Sequence, residues 1–233
     1  MYNGELAWIE NALDCLHETG KMGNLHWRAT YTKEDQKALK LLEQWMREKD
    51  LEVFYDDIGN LFGKIEGEQD KIVLTGSHRD TVKNGGKYDG ALGVICAIAA
   101  AGSLYAELGK PKKSVEVVAF GEEEGSRFLS GYLGSRYFVG QLSDDILQER
   151  DANGITLSEA IRQAGFSGKG MQKSPRMQDI ERFIELHIEQ GGVLEQSGEQ
   201  VGLVTSIVGL LIGKITIDGH QNHAGTTPMH LRK

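Results

Sequence analysis

The chain has 233 residues, enough for one large domain or a domain plus a fragment, and enough to bury a sizeable core. Hydrophobic residues make up 39% and charged residues 26%, which excludes a disordered chain. Lys+Arg 26 against Asp+Glu 34 leaves a formal net charge of −8, and without a basic cluster this excludes nucleic acid as the default partner.

In chain order, Glu5 to His17 reads as a helix. Thr32 reads as the N-cap of a second helix, with Asp35 at its third position. Ala38, Leu41, Leu42, Trp45 and Met46 then follow on one face. Leu51 to Phe54 and Asn60 to Ile65 are strands around an Asp-Ile-Gly-Asn turn. Lys71 to Gly76 has the compact apolar run of a buried parallel strand. Ala91 to Leu108 is a Gly/Ala-rich helix with a narrow face suited to lying close on a sheet, and Ser114 to Phe120 is the next strand. Thr156 caps a helix to Ala164, with Glu159 three residues on. Arg182 to Ile188 is a strand whose alternation puts Phe183, Glu185, His187 and Glu189 on one face. Gln200 to Ile207 and Leu210 to Asp218 are two further strands, after which little sequence remains to cover them. The expectation is therefore a truncated chain of α/β class. It would be a three-layer sandwich with a mixed, largely parallel sheet, its catalytic domain over 1–208 and the first part of a lid domain over 209–233.

Two cysteines, Cys15 and Cys96, make no disulfide framework and no CxxC site, so a reducing cytosol fits best. Met1 to Glu5 lacks the basic-then-apolar profile of a signal peptide. The apolar stretch Ala91 to Gly102 is too short to span a bilayer, so no membrane is expected. Trp8, Trp27 and Trp45 read as packing residues. Arg127 reads as a structural partner to a carboxylate in the core or as a substrate contact.

The chemistry gathers at strand ends. His78 and Asp80 follow one strand, Glu122 to Glu124 follow the next, and His187 lies near the end of a third. Ligands collect at the carboxyl ends of strands in open α/β sheets, so the topology would bring these clusters together. Asp89 sits in a glycine-rich loop directly before a helix, where its side chain can reach the same crevice. Imidazole and carboxylate donors without thiolate suit Zn²⁺, Mn²⁺, Co²⁺ or Ni²⁺. An Asp between two His-bearing segments can bridge two ions, which polarise a carbonyl and bring a shared water near neutral pKa. Glu123 is then placed to take the water's proton and return it to a leaving nitrogen. Asp80 would orient the His78 imidazole through its carboxylate.

Five ordered runs carry a resemblance. They are Thr75–Val82 (TGSHRDTV), Asn84–Gly93 (NGGKYDGALG), Glu122–Phe128 (EEEGSRF), Glu185–Gly191 (ELHIEQG) and Asn222–Met229 (NHAGTTPM), preceded by Asp57–Gly63. With these the chain resembles the hydantoinase/carbamoylase branch of the dinuclear-metal aminoacylase and carboxypeptidase-like amidohydrolases, over essentially its whole length. The resemblance implies that His78, Asp89 and His187 hold one metal, and that Asp89 and Glu124 hold the second, with Glu123 as general base. It implies that Gln190 contacts the carbamoyl or ureido group. His223 would stabilise the oxyanion from a lid domain that pairs the chain into a homodimer. The implied reaction is attack of water on a ureido carbon and cleavage of a C–N bond, with ammonia and carbon dioxide as eventual products. The substrates would be N-carbamoyl-L-amino acids, N-carbamoyl-β-alanine or allantoate.

Family members are considerably longer, and their later segment carries a further His ligand together with the Asn and Arg that bind the substrate carboxylate. The 233 residues are thus expected to hold at most one ion well, and to be inactive as they stand. The rival readings are an aminoacylase or dipeptidase with the same metal machinery, and a non-catalytic remnant serving as a binding or dimer-forming module.

Overall fold

The computed structural model describes residues 2–168, 176–209 and 215–233. They fall into two compact units, one ending at Ile188 and the other beginning at Glu189.

In the first unit, α1 (Tyr2–Glu18) spans the expected helix. It is followed by a hairpin of β1 (Lys21–Met22) and β2 (Leu25–His26), too short to leave a period in the sequence. α2 (Lys33–Glu48) starts at the expected cap, where Thr32 Oγ1 accepts the Asp35 N–H at 3.3 Å. Its Ala38, Leu42, Trp45 and Met46 are buried, with Leu41 half-buried on the shoulder of the stripe. β3 (Glu52–Tyr55) and β4 (Leu61–Ile65) pair antiparallel around a turn in which the Asp56 carboxylate accepts the N–H groups of Ile58 and Asn60. β5 (Gln69–His78), α3 (Ala91–Leu108) and β6 (Lys113–Phe120) form a crossover between parallel strands. α4 (Leu133–Phe138) follows. α5 (Leu157–Gln163) carries both halves of the Thr156/Glu159 capping box. β7 (Ile180–Ile184) then adds in parallel to β5.

The sheet order is β3-β4-β6-β5-β7, mixed, with β4 antiparallel to both its neighbours and β5 parallel to both of its own. Alternation along β6 divides the core. Val117 and Ala119 face α1, α2 and α3, while Val118 and Phe120 pack on the opposite face with Phe62, Leu74 and Phe138 of α4. The layered α/β reading holds. α3 as a whole is long and apolar enough to cross a membrane by length and composition alone, a property that the shorter Ala91–Gly102 stretch concealed. In this fold its Val94, Ile95 and Ile98 are buried in the core beneath α1 and α2. Trp8 and Trp45 pack edge to face there, with ring centroids 6.0 Å apart.

Three elements differ from expectation. β7 stops at Ile184, not Ile188, because its last register with β5 is Thr75↔Ile184; residues beyond it have no ladder to extend them. Residues 201–209 form no strand, and Leu203 is 97% exposed. An alternating pattern becomes a strand only where a partner ladder exists, and the described residues of the second unit contain none. Of the strand expected over 210–218, residues 210–214 lie outside the described residues and 215–218 are irregular. The second unit holds instead a short α6 (Val193–Ser197). The division into compact units falls earlier than the 208/209 boundary drawn from the sequence.

Arg79, directly after β5, is fully buried, and its guanidinium donates to both carboxylate oxygens of Asp35 on α2, at 2.7 and 3.2 Å. It also donates to the Ala119 carbonyl. This pair ties α2 to the end of the strand that leads into the site. Breaking a buried pair on one side leaves an uncompensated charge, so Asp35→Ala should lower the unfolding free energy by about 3–5 kcal/mol, read by urea denaturation.

Candidate metal centre

The register of the sheet assembles the site. His78 closes β5 directly opposite Phe120, the last residue of β6, so the loop Gly121–Glu124 emerges beside the imidazole. On the other side of β5, the chain leaving β7 carries Glu185 to His187. Asp89 comes from the turn before α3. There Gly90 adopts φ +63°, and a Cβ at that position would lie 2.5 Å from the His78 ring; only glycine lets the turn close against the imidazole.

Asp89 Oδ1 lies 3.7 Å from His78 Nε2 and 3.3 Å from His187 Nε2. Glu123 Oε2 lies 3.8 Å from His78 Nε2. Ligand-type atoms of His78, Asp89 and His187 fall within 4.8 Å of one another, and so do those of His78, Glu123 and Glu124. Among the described residues these are the two groupings of that kind. Both share His78, and together they contain every expected metal ligand and the expected base.

Asp80 lies beneath them, fully buried, and acts in two directions. Its backbone carbonyl, not its carboxylate, meets His78 Nδ1 at 3.1 Å. The carboxylate is 3.7 Å from that nitrogen, beyond hydrogen-bond reach, and instead accepts the backbone N–H groups of Glu123 and Glu124 at 3.0 and 3.1 Å. One residue thereby orients the imidazole and fixes the backbone of both glutamates. Glu122, read from the sequence as one of the acidic cluster, has no ligand role assigned to it there. It is buried at φ +53°, and its carboxylate accepts the N–H groups of Arg127 and Phe128, closing the loop on itself. Arg127 pairs with Asp151 at 3.1 Å and donates to the Thr30 carbonyl, a structural use. Trp27 donates to Ser126 Oγ.

The electrostatics show a site short of positive charge. Burial disfavours the His78 imidazolium, but the hydrogen bond it donates to Asp89 and the charges of Asp80, Glu123 and Asp89 outweigh it and raise its pKa to about 9. Asp89 is lowered, first by the His78 hydrogen bond. Burial raises Glu123, and raises Glu124 to about 7 against the pull of His78. A proton on the imidazole is the nearest substitute for a cation here. Two imidazoles and three carboxylates without sulfur are a donor set for a borderline divalent ion, so the residues fit the metal that the sequence implies.

Gln190 and His223 belong to the second compact unit. Gln190 sits at φ +54°, and His223 Nδ1 accepts the N–H groups of Gly225 and Thr226, both at 3.1 Å.

The profile of Peptidase family M28 matches residues 60–165, the span that supplies His78, Asp89, Glu123 and Glu124. Allantoate amidohydrolase from Bacillus subtilis (strain 168) is 47% identical over 209 residues, covering 88% of this chain and 50% of that protein. N-carbamoyl-L-amino acid amidohydrolase from Geobacillus stearothermophilus is 42% identical over 238 residues, covering 100% and 58%. A crystal structure of a hydantoinase/carbamoylase family amidase from Burkholderia ambifaria superposes with a TM-score of 0.78 at 33% identity, covering 97% of this chain and 55% of that one. The resemblance to the hydantoinase/carbamoylase family is borne out. The chain spans about half the length of the curated relatives it matches.

Metal binding at this centre should release protons. An ion needs His78 neutral and Glu124 ionised, and their pKa values of about 9 and about 7 mean that in the metal-free protein at neutral pH His78 holds its proton and Glu124 is partly protonated. Affinity for Zn²⁺ or Co²⁺ should therefore climb as pH rises through this range and level off above it. Calorimetric titration in buffers of different ionisation enthalpy counts the protons released; an affinity flat with pH would contradict the assignment.

Proposed function

We propose that this chain supplies the metal-binding half of an amidohydrolase that cleaves the ureido C–N bond of N-carbamoyl-L-amino acids. The observation that carries the reading is the convergence of two imidazoles and three carboxylates from four separate chain segments on one point at the strand ends. The names of the relatives at 42% and 47% identity support it.

In this reading His78, Asp89 and His187 hold one divalent ion. Asp89 and Glu124 contribute to a second, with Zn, Mn, Co or Ni all compatible with the donors. When bound, the ions supply Lewis acidity and a water of near-neutral pKa. The chain's own residues do the rest. Glu123, half-buried and held above the usual carboxylate range by burial, accepts the proton of the attacking water and delivers it to the departing nitrogen. Asp80 keeps Glu123 and the His78 ring in place through its carboxylate and carbonyl. Gln190 reads the ureido group, and His223, from a lid domain that also forms a homodimer, steadies the developing oxyanion. Residues 1–208 would then be catalytic-domain sequence and 209–233 the first of the lid. The unpaired Cys15 and Cys96 fit a reducing cytosol. The 233 residues alone offer three ligands for one ion and two for the other, so they should hold about one ion per chain and turn over no substrate.

A second reading, allantoate hydrolysis by the same chemistry, is favoured by the 47% identity to an allantoate amidohydrolase. The test is an ammonia-release assay of the whole translated product, metal-loaded, on N-carbamoyl-L-amino acids, allantoate, N-acyl amino acids and dipeptides. Ureido compounds should be consumed and the acyl and peptide substrates left. Glu123→Gln should lower kcat by about 10²–10⁴-fold while metal content is unchanged. Turnover of dipeptides in place of ureido compounds would overturn the reading.

A further inference from the structure

The metal centre asks something of His187 that its own strand does not provide. β7 last pairs with β5 at Thr75↔Ile184, whereas β5 runs on to His78 with its other edge still paired to β6. Residues 185–188 therefore leave the ladder before the imidazole is reached. Among the described residues the His187 ring meets the neighbouring Ile188 carbonyl through Nδ1, Asp89 through Nε2, and the His78 ring at a centroid distance of 6.1 Å. A segment of this kind, on the edge of a sheet, ordinarily frays.

Two contacts hold it. The hydroxyl of Ser77, itself 1% exposed, donates to a carboxylate oxygen of Glu185 at 2.5 Å. The Leu186 carbonyl rests on Gly93 of α3, where a Cβ would collide with that oxygen and stand 2.7 Å from Ser77 Cβ. Glu185 and His187 are two residues apart, so Leu186 alone separates the fastened residue from the one that carries the imidazole. A carboxylate fastened to β5 then fixes the direction of the imidazole. Ser77 is the residue before His78, so both histidines are referred to one rigid stretch of central strand.

We propose that Ser77 and Glu185 form a side-chain tether that replaces the missing backbone pairing and aims His187 at Asp89, making Glu185 a positioning residue of the metal centre. The proposal rests on the metal-centre reading above. The tether works as a hydrogen bond and not through the charge of Glu185, since an amide oxygen at the same place accepts from Ser77 equally well.

The test is Co²⁺ titration of the metal-free 233-residue protein, followed by its visible ligand-field spectrum, with the thermal melt of the metal-free form alongside. Glu185→Ala and Ser77→Ala should each weaken Co²⁺ binding about tenfold and alter the spectrum as the second imidazole is lost. Glu185→Gln should restore affinity to within about twofold, and Ser77→Ala/Glu185→Ala should be no weaker than the worse single variant, as expected for two halves of one contact. Wild-type affinity and spectrum in the alanine variants would overturn the tether, as would additive losses or a Gln variant as weak as the Ala one. Parent protein that takes up no Co²⁺ would instead remove the metal centre, and the tether with it. Glu185 is largely exposed, so its variants report on the contact even if Ser77→Ala unfolds the chain.

Discussion

Everything at the site follows from one constraint of topology: β5 lies between β6 and β7, and all three run the same way. Parallel neighbours end at the same edge of a sheet, so chain segments far apart in sequence are released at one place. His78 and the Glu122–Glu124 loop are set side by side by the pairing His78↔Phe120. The helix that crosses between β5 and β6 must begin at that same edge, and the turn into it presents Asp89. No long-range attraction between ligands is needed to gather them; the hydrogen-bonded ladder does so before any ion arrives.

The cost of that gathering is electrostatic. Asp80, Asp89, Glu123 and Glu124 are crowded around one imidazole, and burial together with the neighbouring carboxylates disfavours ionisation of Glu123 and Glu124. The protein answers in layers. Below the site, the buried Asp35–Arg79 pair fastens α2 to the end of β5, and Arg28, also buried, donates to the Arg79 and Leu16 carbonyls. Within the site, backbone N–H groups donate to both carboxylate oxygens of Asp80, and His78 keeps its proton well above the ordinary histidine range. The partly exposed Asp89, Glu123 and Glu124 beside that imidazole are the groups a divalent cation would compensate in place of the proton.

Much of this was legible in the residues. Thr32 and Thr156 announced their helices because a cap is a local contract between a side chain and an N–H three residues on. The residues that converge at the candidate centre stood out because imidazole and carboxylate donors at strand ends are a small chemical set. The misses share a cause, since each depends on a partner distant in sequence. The end of β7 is set by where β5 stops pairing with it, not by its own alternation. The carbonyl of Asp80, and not its carboxylate, reaches the imidazole because backbone N–H groups of a later loop claim the acid. Glu185 and Ser77 look like ordinary polar residues until the fold brings them together across the sheet. The apolar pattern around Leu203 promised a strand for which the described residues hold no mate.

The central claim is that the ion is caged by imidazole and carboxylate from these particular segments. X-ray absorption at the zinc edge, on the protein carrying one equivalent of Zn²⁺, tests it most directly. The account predicts a nitrogen/oxygen shell with the multiple-scattering signature of two imidazoles and no sulfur, falling to one imidazole in His187→Ala. A shell containing sulfur, or one left unchanged by His187→Ala, would contradict it.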